Sequence, residues 1–486
     1  MAYYSVLADA VVMDATSFSG ATSATLQAIF DQAVSSGLPL VVRPGTYDAA
    51  NIVIAAPISV RGVPGKVTFR AAAGAAYILY LGAFTRAEFY GITFDGNNVA
   101  LTTDPNLQPA QGLVNTRKDS SSLVSKAVFD RCSFVNSTQC GIGIGGTRLL
   151  VTDCVFSRCA LKSIGVMETD EVTVRDSHFE YQDHAMHFYP YPCLNVTVEN
   201  NKILGCRRNG IAFEPQGDGK VNQHLTIRNN KILQPPEGGF SVSRTDLATT
   251  GAEGNGILAY LCENVVIEGN HIRDCEFSAI RANVTSHLTI NGNVCRTSGE
   301  TAIYVETVGM YVGAFDATIT NNVVNGGGAG IAVVNYNTDG RFSTIGGNII
   351  DNVHAKTITY KGGSYGTSGA GIYAEADATV TGNTIEGADM GIGLGTNEYS
   401  RYLNATGNVV LQTTLGIGVS GSSPREILVS NNVIGGYSSG AIKAFTYTGV
   451  GTPSYTITGA ELCPANLGSA TAGNVQMIGN VRRAVL

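Results

Sequence analysis

The chain has 486 residues, a net charge of −7 at pH 7 and an isoelectric point of about 5.6, which excludes the basic surface that nucleic-acid binding requires. Hydrophobic residues make up 44% of it without any apolar run long enough to span a bilayer, so membrane insertion is not expected either. Only 14% of residues are charged while Gly, Asn, Ser and Thr are abundant, a composition suited to neutral or glycan-like partners.

Residues 1–20 read as an extended lead-in or anchor. The start, Met-Ala-Tyr-Tyr-Ser, has no basic region, apolar run or twin arginine. Either the chain is made without a signal, or an exported precursor has been trimmed and restarted at Met. Residues 21–50 form a capping helix and first strand. From Thr22 to Ser35, residues Leu26, Ile29, Phe30, Ala33 and Val34 share one face at helical spacing, with Ser23 or Thr22 as cap and Gly37 as stop. Leu38 to Val42 then reads as a strand, and Pro44-Gly45-Thr46-Tyr47 as a turn. A helix there would cover the open β edge of a first rung.

Residues 51–448 repeat. A strand-like run ends in Gly-Asn or Asn-Asn, then one residue, then an aliphatic, as in Asn229-Asn230-Lys231-Ile232. The second Asn falls at 201, 230, 270, 293, 322, 348, 383, 408, 432 and 480, a base period of about 23–29 residues with insertions. Strand chemistry at that period means a solenoid, here a parallel β-helix. Earlier rungs keep the rhythm through Ile92-Thr93-Phe94, Cys132-Ser133-Phe134, Cys154-Val155-Phe156 and Ser177-His178-Phe179. The Asn ladder is structural: Asn tolerates the left-handed turn and stacks on itself. Ten cysteines without a C-x-x-C pair read as free thiols in the core, with disulfides across coils the minority alternative. Residues 449–486 read as a last coil and cap, containing Cys463 and Ile478-Gly479-Asn480-Val481.

A second strand repeats in each coil, with its aliphatic at Ile142, Ile164, Met186, Ile211, Ile257, Ile280, Ile303, Ile331, Ile372, Ile392, Ile417 and Ile442. If that residue points inward, those one and three later point outward. The middle coils then place His187, Tyr189, Glu214, Tyr260, Arg281, Asn283, Tyr304 and Glu306 on one outer strip about 20 Å long at a coil spacing of roughly 4.8 Å. Tyr373 and Glu375 follow further on, and flanking coils turn to Gly and Ser. Aromatic rings stack on sugars, while Arg, Asn and carboxylates orient hydroxyls and acid groups. The stretch Tyr181 to Tyr191 adds Asp183 and His184. Neither a metal nor another cofactor is expected, since His184 and His187 lack an obvious third ligand. Arg207-Arg208, the loop Glu214 to Lys220 and the insertions near 233–254 and 355–369 flank the strip.

The helix, strand and Pro-Gly-Thr-Tyr turn resemble the opening of pectate-lyase-like β-helix proteins, which include lyases, hydrolases and phage tailspikes. From about residue 37 onward the chain also resembles an alphaproteobacterial family of twin-arginine-exported β-helix repeat proteins. Gly254-Asn255-Gly256-Ile257, Arg273 through Arg281, Gly299 through Tyr304, Gly330 through Asn335 and Glu375-Ala376-Asp377 carry that likeness. It implies an all-β, single-stranded right-handed parallel β-helix with an N-terminal capping helix.

Three functions follow. The first is recognition of cell-surface polysaccharide by a spike or fibre of a phage-like particle, with or without glycan cleavage. It implies an extracellular or virion-surface location, and a trimeric homo-oligomer or anchoring through the N-terminus. The second is an exported, extracellular or periplasmic lyase or epimerase acting on acidic glycans, in which Arg281 grips a carboxylate and Tyr260, Tyr304 or His187 moves the proton. The third is a structural surface protein with no glycan site. A glycosidase with two carboxylates is disfavoured, because Glu214 and Glu306 lie three coils apart, roughly 14 Å by coil spacing. Asn337-Thr338-Asp339 also stands without the phrases that accompany it in polygalacturonases.

Overall fold

The computed structural model describes residues 4–14, 22–82, 86–105, 107, 110–116, 125–146, 148–216, 221–234, 254–307, 316–335, 342–360, 363–375, 377–396, 401–420, 425–448, 451–462, 470–472 and 475–483. The described chain is all-β apart from one helix, Ser23–Ser36. It divides into two compact units, residues 1–226 with 236–240, and 227–235 with 241–486.

In the first unit the helix buries Leu26, Ile29, Phe30 and Ala33 and ends at Gly37, whose φ of 66° is the left-handed stop expected of glycine. Thr22 holds the N-cap position but its side chain makes no capping bond. Instead, the helix attaches through Gln27. Its amide nitrogen donates to the Val53 carbonyl at 2.7 Å, and its amide oxygen accepts from the Val53 N–H at 2.8 Å. One side chain thus satisfies both backbone groups that Val53 presents towards the helix.

The coils of the first unit have three strands, for instance Ser133–Ser137, Cys140–Gly145 and Arg148–Thr152. The next coil repeats them as Val155–Cys159, Lys162–Met167 and Val172–Arg175, paired parallel and in register. Identical positions therefore stack. Tyr47, Phe69, Phe94, Phe134, Phe156 and Phe179 form one interior column with ring centroids 4.8–6.1 Å apart. Such stacking adds to the burial of each ring.

The second unit replaces aromatics by aliphatics and gains an asparagine ladder. Asn230, Asn270, Asn293, Asn322, Asn348, Asn383, Asn408, Asn432 and Asn480 are all buried, and each Nδ2 donates to the next Oδ1 at 2.9–3.0 Å. The same oxygen accepts the backbone N–H of the preceding Asn, and Nδ2 also reaches a main-chain carbonyl, as Asn322 does to Ile290 at 3.0 Å. The two residues of the repeated phrase have separate tasks. The first takes the left-handed turn, as Asn at 229, 321 and 431 and as Gly at 269, 292, 347, 382, 407 and 479. The second makes the ladder. In the first unit Cys132, Cys154 and Ser177 stand at the ladder position. The two thiols donate to the carbonyls of Phe89 and Phe129 at 3.4 Å, and Ser177 Oγ accepts from the Cys154 N–H at 3.0 Å. The nine described cysteines are buried free thiols, and burial pushes Cys206 and Cys295 up to about 12. Cys463 lies outside the described residues.

Strand Tyr455–Glu461 turns back antiparallel on Gly440–Tyr447. Val475–Ile478 and Val481–Arg483 then resume the parallel ladders, and Asn480 ends the asparagine column.

Replacing Asn322 by Ala would leave the Asn293 N–H without its acceptor in the interior, and would take one partner each from Asn293 Nδ2, the Ile290 carbonyl and Asn348 Oδ1. The expected loss is about 2–4 kcal/mol, read as a shift in the urea midpoint. Asn325→Ala, on the exposed face, should change stability by only about 0.5 kcal/mol.

Candidate functional site

The second strand of each coil stacks in the register its repeat implies. Ile142, Ile164, Met186 and Ile211 align in the first unit, and Ile257, Ile280, Ile303, Ile331, Ile372, Ile392, Ile417 and Ile442 in the second, all fully buried. The residues one and three later do point away from that interior. They do not form an open strip, which corrects the sequence expectation. His187, Arg281, Tyr373 and Glu375 are buried, while Tyr189, Glu214, Tyr260, Asn283, Tyr304 and Glu306 are half-buried.

Covering segments explain this, and also explain the glycines at 143 and 165. A Cβ on Gly143 would sit 1.6 Å from the Ala110 carbonyl oxygen, and one on Gly165 2.9 Å from the Ala110 Cβ. At Gly393 and Gly418 the close neighbours are Tyr373, Met390 and Phe445. These belong to an outer apolar cluster completed by Tyr455 and Ile457 of the turned-back strand. Glycine marks the close approach of a covering segment at 143 and 165, and room for large outward side chains of the same sheet at 393 and 418.

In the second unit the covered face is a charge-compensated network. Arg281 donates to Glu300 at 2.8 Å and to Glu306 at 3.1 Å, Asn283 also donates to Glu306, and the Tyr304 ring lies 4.4 Å from the guanidinium. A hairpin, Thr357–Tyr360 with Gly363–Gly366, closes over it. Tyr365 Oη donates to Glu300 at 2.5 Å, and Ile358 packs on Phe277. Burial alone would lower the Arg281 pKa, but Glu300, Tyr304 and Glu306 outweigh it and keep the guanidinium charged. Burial also raises Glu306. Arg281 is therefore held by its own carboxylates and is not available to grip a substrate acid, contrary to the sequence expectation. Tyr260 stands opposite Asn283 in register, next to this network. Further along, Tyr373 Oη donates to Glu375 at 2.7 Å, and Glu375 accepts the Asn335 N–H at 2.8 Å.

The first unit holds a different arrangement. Strand His184–Phe188 brings His184 beside Lys162 and His187 beside Gly165. His184 stacks on His187 at 4.4 Å and His187 on Tyr189 at 5.0 Å, with Lys162 Nζ 5.3 Å from the Tyr189 ring. Glu214, reached after strand Ile211–Phe213, puts Oε2 2.8 Å from His187 Nε2. That contact is too poorly aligned to be a hydrogen bond, so both His187 nitrogens and His184 Nδ1 are buried without a hydrogen-bond partner. Burial, more than the opposing Lys162 and Arg208, raises Glu214 to about 7. Burial, with Lys162 and Arg208 adding to it, keeps both histidines well below their usual range. A carboxyl poised at neutrality thus faces an uncharged imidazole. The Glu214 side chain keeps 26% of its surface exposed and His187 9%, so solvent meets the pair at its carboxyl edge.

Asp183 sits where strand His178–Gln182 turns into His184–Phe188, ion-paired to Arg207 at 3.2 Å and Arg208 at 3.8 Å. It lines a cleft of about 590 Å³ with Arg158, Tyr181, Gln182 and Arg207. Sequence reasoning missed Lys162 and Arg158, which stand outside the columns it followed. Among the described residues no three His, Cys, Asp or Glu side chains are grouped to hold a metal ion. Residues 217–220, 235–253 and Asn337-Thr338-Asp339 lie outside the described residues.

The sequence matches the family described as "Right handed beta helix region" over residues 90–250 and 248–350. Among solved structures, the chain is similar to the A-module of Azotobacter vinelandii mannuronan C-5 epimerase AlgE6 at 12% identity, covering 96% of this chain and 98% of that one with a TM-score of 0.37. It is also similar to a hyperthermoactive exopolygalacturonase from Thermotoga maritima at 11% identity, covering 92% and 94% with a TM-score of 0.36. A third is the Dettilon tailspike protein, at 13% identity, 89% and 68% coverage and a TM-score of 0.29. At such identities the likeness shows the fold alone. No curated protein matches the sequence.

Two outcomes follow. Arg281→Ala leaves Glu300 and Glu306 buried without their cation and should cost about 3–5 kcal/mol, read by chemical denaturation. Glu214 has a folded pKa raised from 4.5 to about 7, so its contribution to stability is complete below pH 4.5 and is lost as pH rises through 7. Glu214→Gln should therefore match the parent below pH 4.5 and exceed it by about 2–3 kcal/mol at pH 8–9, measured as urea midpoints across pH.

Proposed function

The chain belongs to the right-handed β-helix family, and on that premise we propose that it recognises a cell-surface polysaccharide and acts on it by acid–base chemistry at the His187–Glu214 pair. The observation that carries this reading is the contact itself. A carboxyl with a pKa of about 7 lies 2.8 Å from an imidazole kept neutral by burial. Two titratable groups in one site with those protonation states divide into acid and base.

The chemistry that fits is lyase or epimerase chemistry on a uronic acid unit. Neutral His187 takes the proton from the carbon beside the carboxylate. In elimination the electron pair of that C–H bond forms the new double bond and expels the glycosidic oxygen, to which protonated Glu214 gives its proton. In epimerisation the carbon is instead reprotonated from the opposite face by water, and His187 returns its proton to the hydroxide so formed. Lys162 and Arg208, whose charges already act on Glu214 and both histidines, are the cations that would offset the substrate carboxylate. Tyr189 supplies a ring against which a sugar can stack. The setting we propose is the outside of a cell or the surface of a phage-like particle, where such polymers are met. That is in keeping with the sequence resemblance to tailspikes and exported β-helix repeat proteins.

The test is incubation with capsular polysaccharides and exopolysaccharides, following chain length by size-exclusion chromatography, unsaturated ends by ultraviolet absorbance and epimers by proton NMR. The parent protein should shorten or epimerise at least one acidic polymer. His187→Ala and Glu214→Gln should each slow this by about 10²–10⁴ without loss of binding, and the parent rate should fall as pH rises above 7. Parent-like rates in both variants would refute the assignment.

A further inference from the structure

The cleft beside Asp183 has features that the acid–base pair does not use. It lies where the first strand of each coil gives way to the second, and the chain there passes through the left-handed region once per coil. The residues in that position are Asn136, Arg158, Tyr181 and Gly205, with φ of 55°, 56°, 59° and 64°. Asn and Gly are the residues that tolerate this backbone; Arg and Tyr are not. Two successive coils therefore hold residues that disfavour this backbone at this turn, and both side chains line the same cleft of about 590 Å³. Residues kept in sparsely populated backbone regions cluster at functional sites.

The charges agree. The cleft contains two guanidiniums, Arg158 and Arg207, and one carboxylate, Asp183. Arg207 holds Asp183 at 3.2 Å, with Arg208 at 3.8 Å on the other oxygen. Arg158 has no carboxylate in ion-pair reach among the described residues, and it is exposed. The volume lies within the roughly 300–1,000 Å³ usual for small-molecule sites.

We propose that this cleft is a binding subsite for an acidic sugar unit, with Arg158 receiving the sugar carboxylate and Tyr181 lying along the ring. The identity of the ligand rests on the polysaccharide reading above; the cleft's preference for an anion does not. Asp183, in the lining of this cleft, directly precedes His184 at the start of the strand that carries His187.

Calorimetric titration of the full chain tests this, using three tetrasaccharides (a galacturonate, a mannuronate and a glucuronate oligomer), a neutral glucose tetramer and inorganic sulfate. The expected result is binding of at least one acidic tetrasaccharide, no binding of the neutral one, and at least tenfold weaker binding in Arg158→Asn. Asn suits the left-handed turn, so that variant should fold as the parent does. Arg158→Lys should recover part of the affinity, since it keeps charge but loses the planar fork. His187→Ala should bind like the parent. Equal affinity in parent and Arg158→Asn, binding of the neutral tetramer, or absence of binding to every acidic oligomer would overturn the proposal. Sulfate binding as tightly as the tetrasaccharides would overturn the sugar assignment. Arg158-dependent binding without turnover would refute the acid–base reading alone, and turnover unaffected by Arg158→Asn with no acidic oligomer binding would refute the cleft alone.

Discussion

A coil can stack on the one before it only if its turns close at the same place every time, and this one requirement orders the rest of the protein. From Cys132 onward, the turn leading into the first strand of a coil meets it with a left-handed residue followed by a buried hydrogen-bonding residue. In the second unit that residue is Asn, whose amide spans from one coil to the next and to the main chain. Asn carries both a donor and an acceptor, so a column of asparagines satisfies itself wherever it is long enough. In the first unit two thiols, a serine hydroxyl and Asn201 occupy the position, and stacked aromatic rings supply the packing.

Register fixed in this way carries over to the outward side. Every coil aims the same two positions of its second strand away from the interior, and covering segments then remove much of the water. A group left there must be neutral or compensated, because an isolated charge in such surroundings is costly. The two units show the two solutions. Around Arg281 the charges answer one another, two carboxylates to one guanidinium with Tyr365 closing the set. Around His187 the groups are pushed toward neutrality, with Glu214 raised and both histidines lowered. The first solution gives a rigid, closed network, and the second gives groups that can exchange a proton near pH 7.

The fold was legible because it is periodic. Position 142 predicts 164, and the column of second-strand aliphatics read from sequence is the column found in space. The capping helix was legible for the same reason, from the spacing of Leu26, Ile29, Phe30 and Ala33. The site was legible only in part. Strand alternation told that Arg281 and His187 face outward, and it could not tell that Ala110 or the hairpin at Thr357 lies over such a face, since those contacts join residues far apart in the chain. Arg281 looked like a free cation because its partner Glu300 lies outside the outward columns, at the turn before the next coil's second strand. The glycines at 143 and 165 were the overlooked sign that a covering segment approaches.

Burial on the outer face at His187 holds Glu214 at a pKa near neutrality. That pKa is tested most directly by carbon-13 NMR of side-chain carboxyl-labelled glutamate, titrated from pH 3 to pH 10 and assigned by the resonance missing from Glu214→Gln. The expected midpoint for Glu214 is about 7. A midpoint near the ordinary 4.5 would mean that water reaches the pair freely, and the acid–base reading of this face would be wrong.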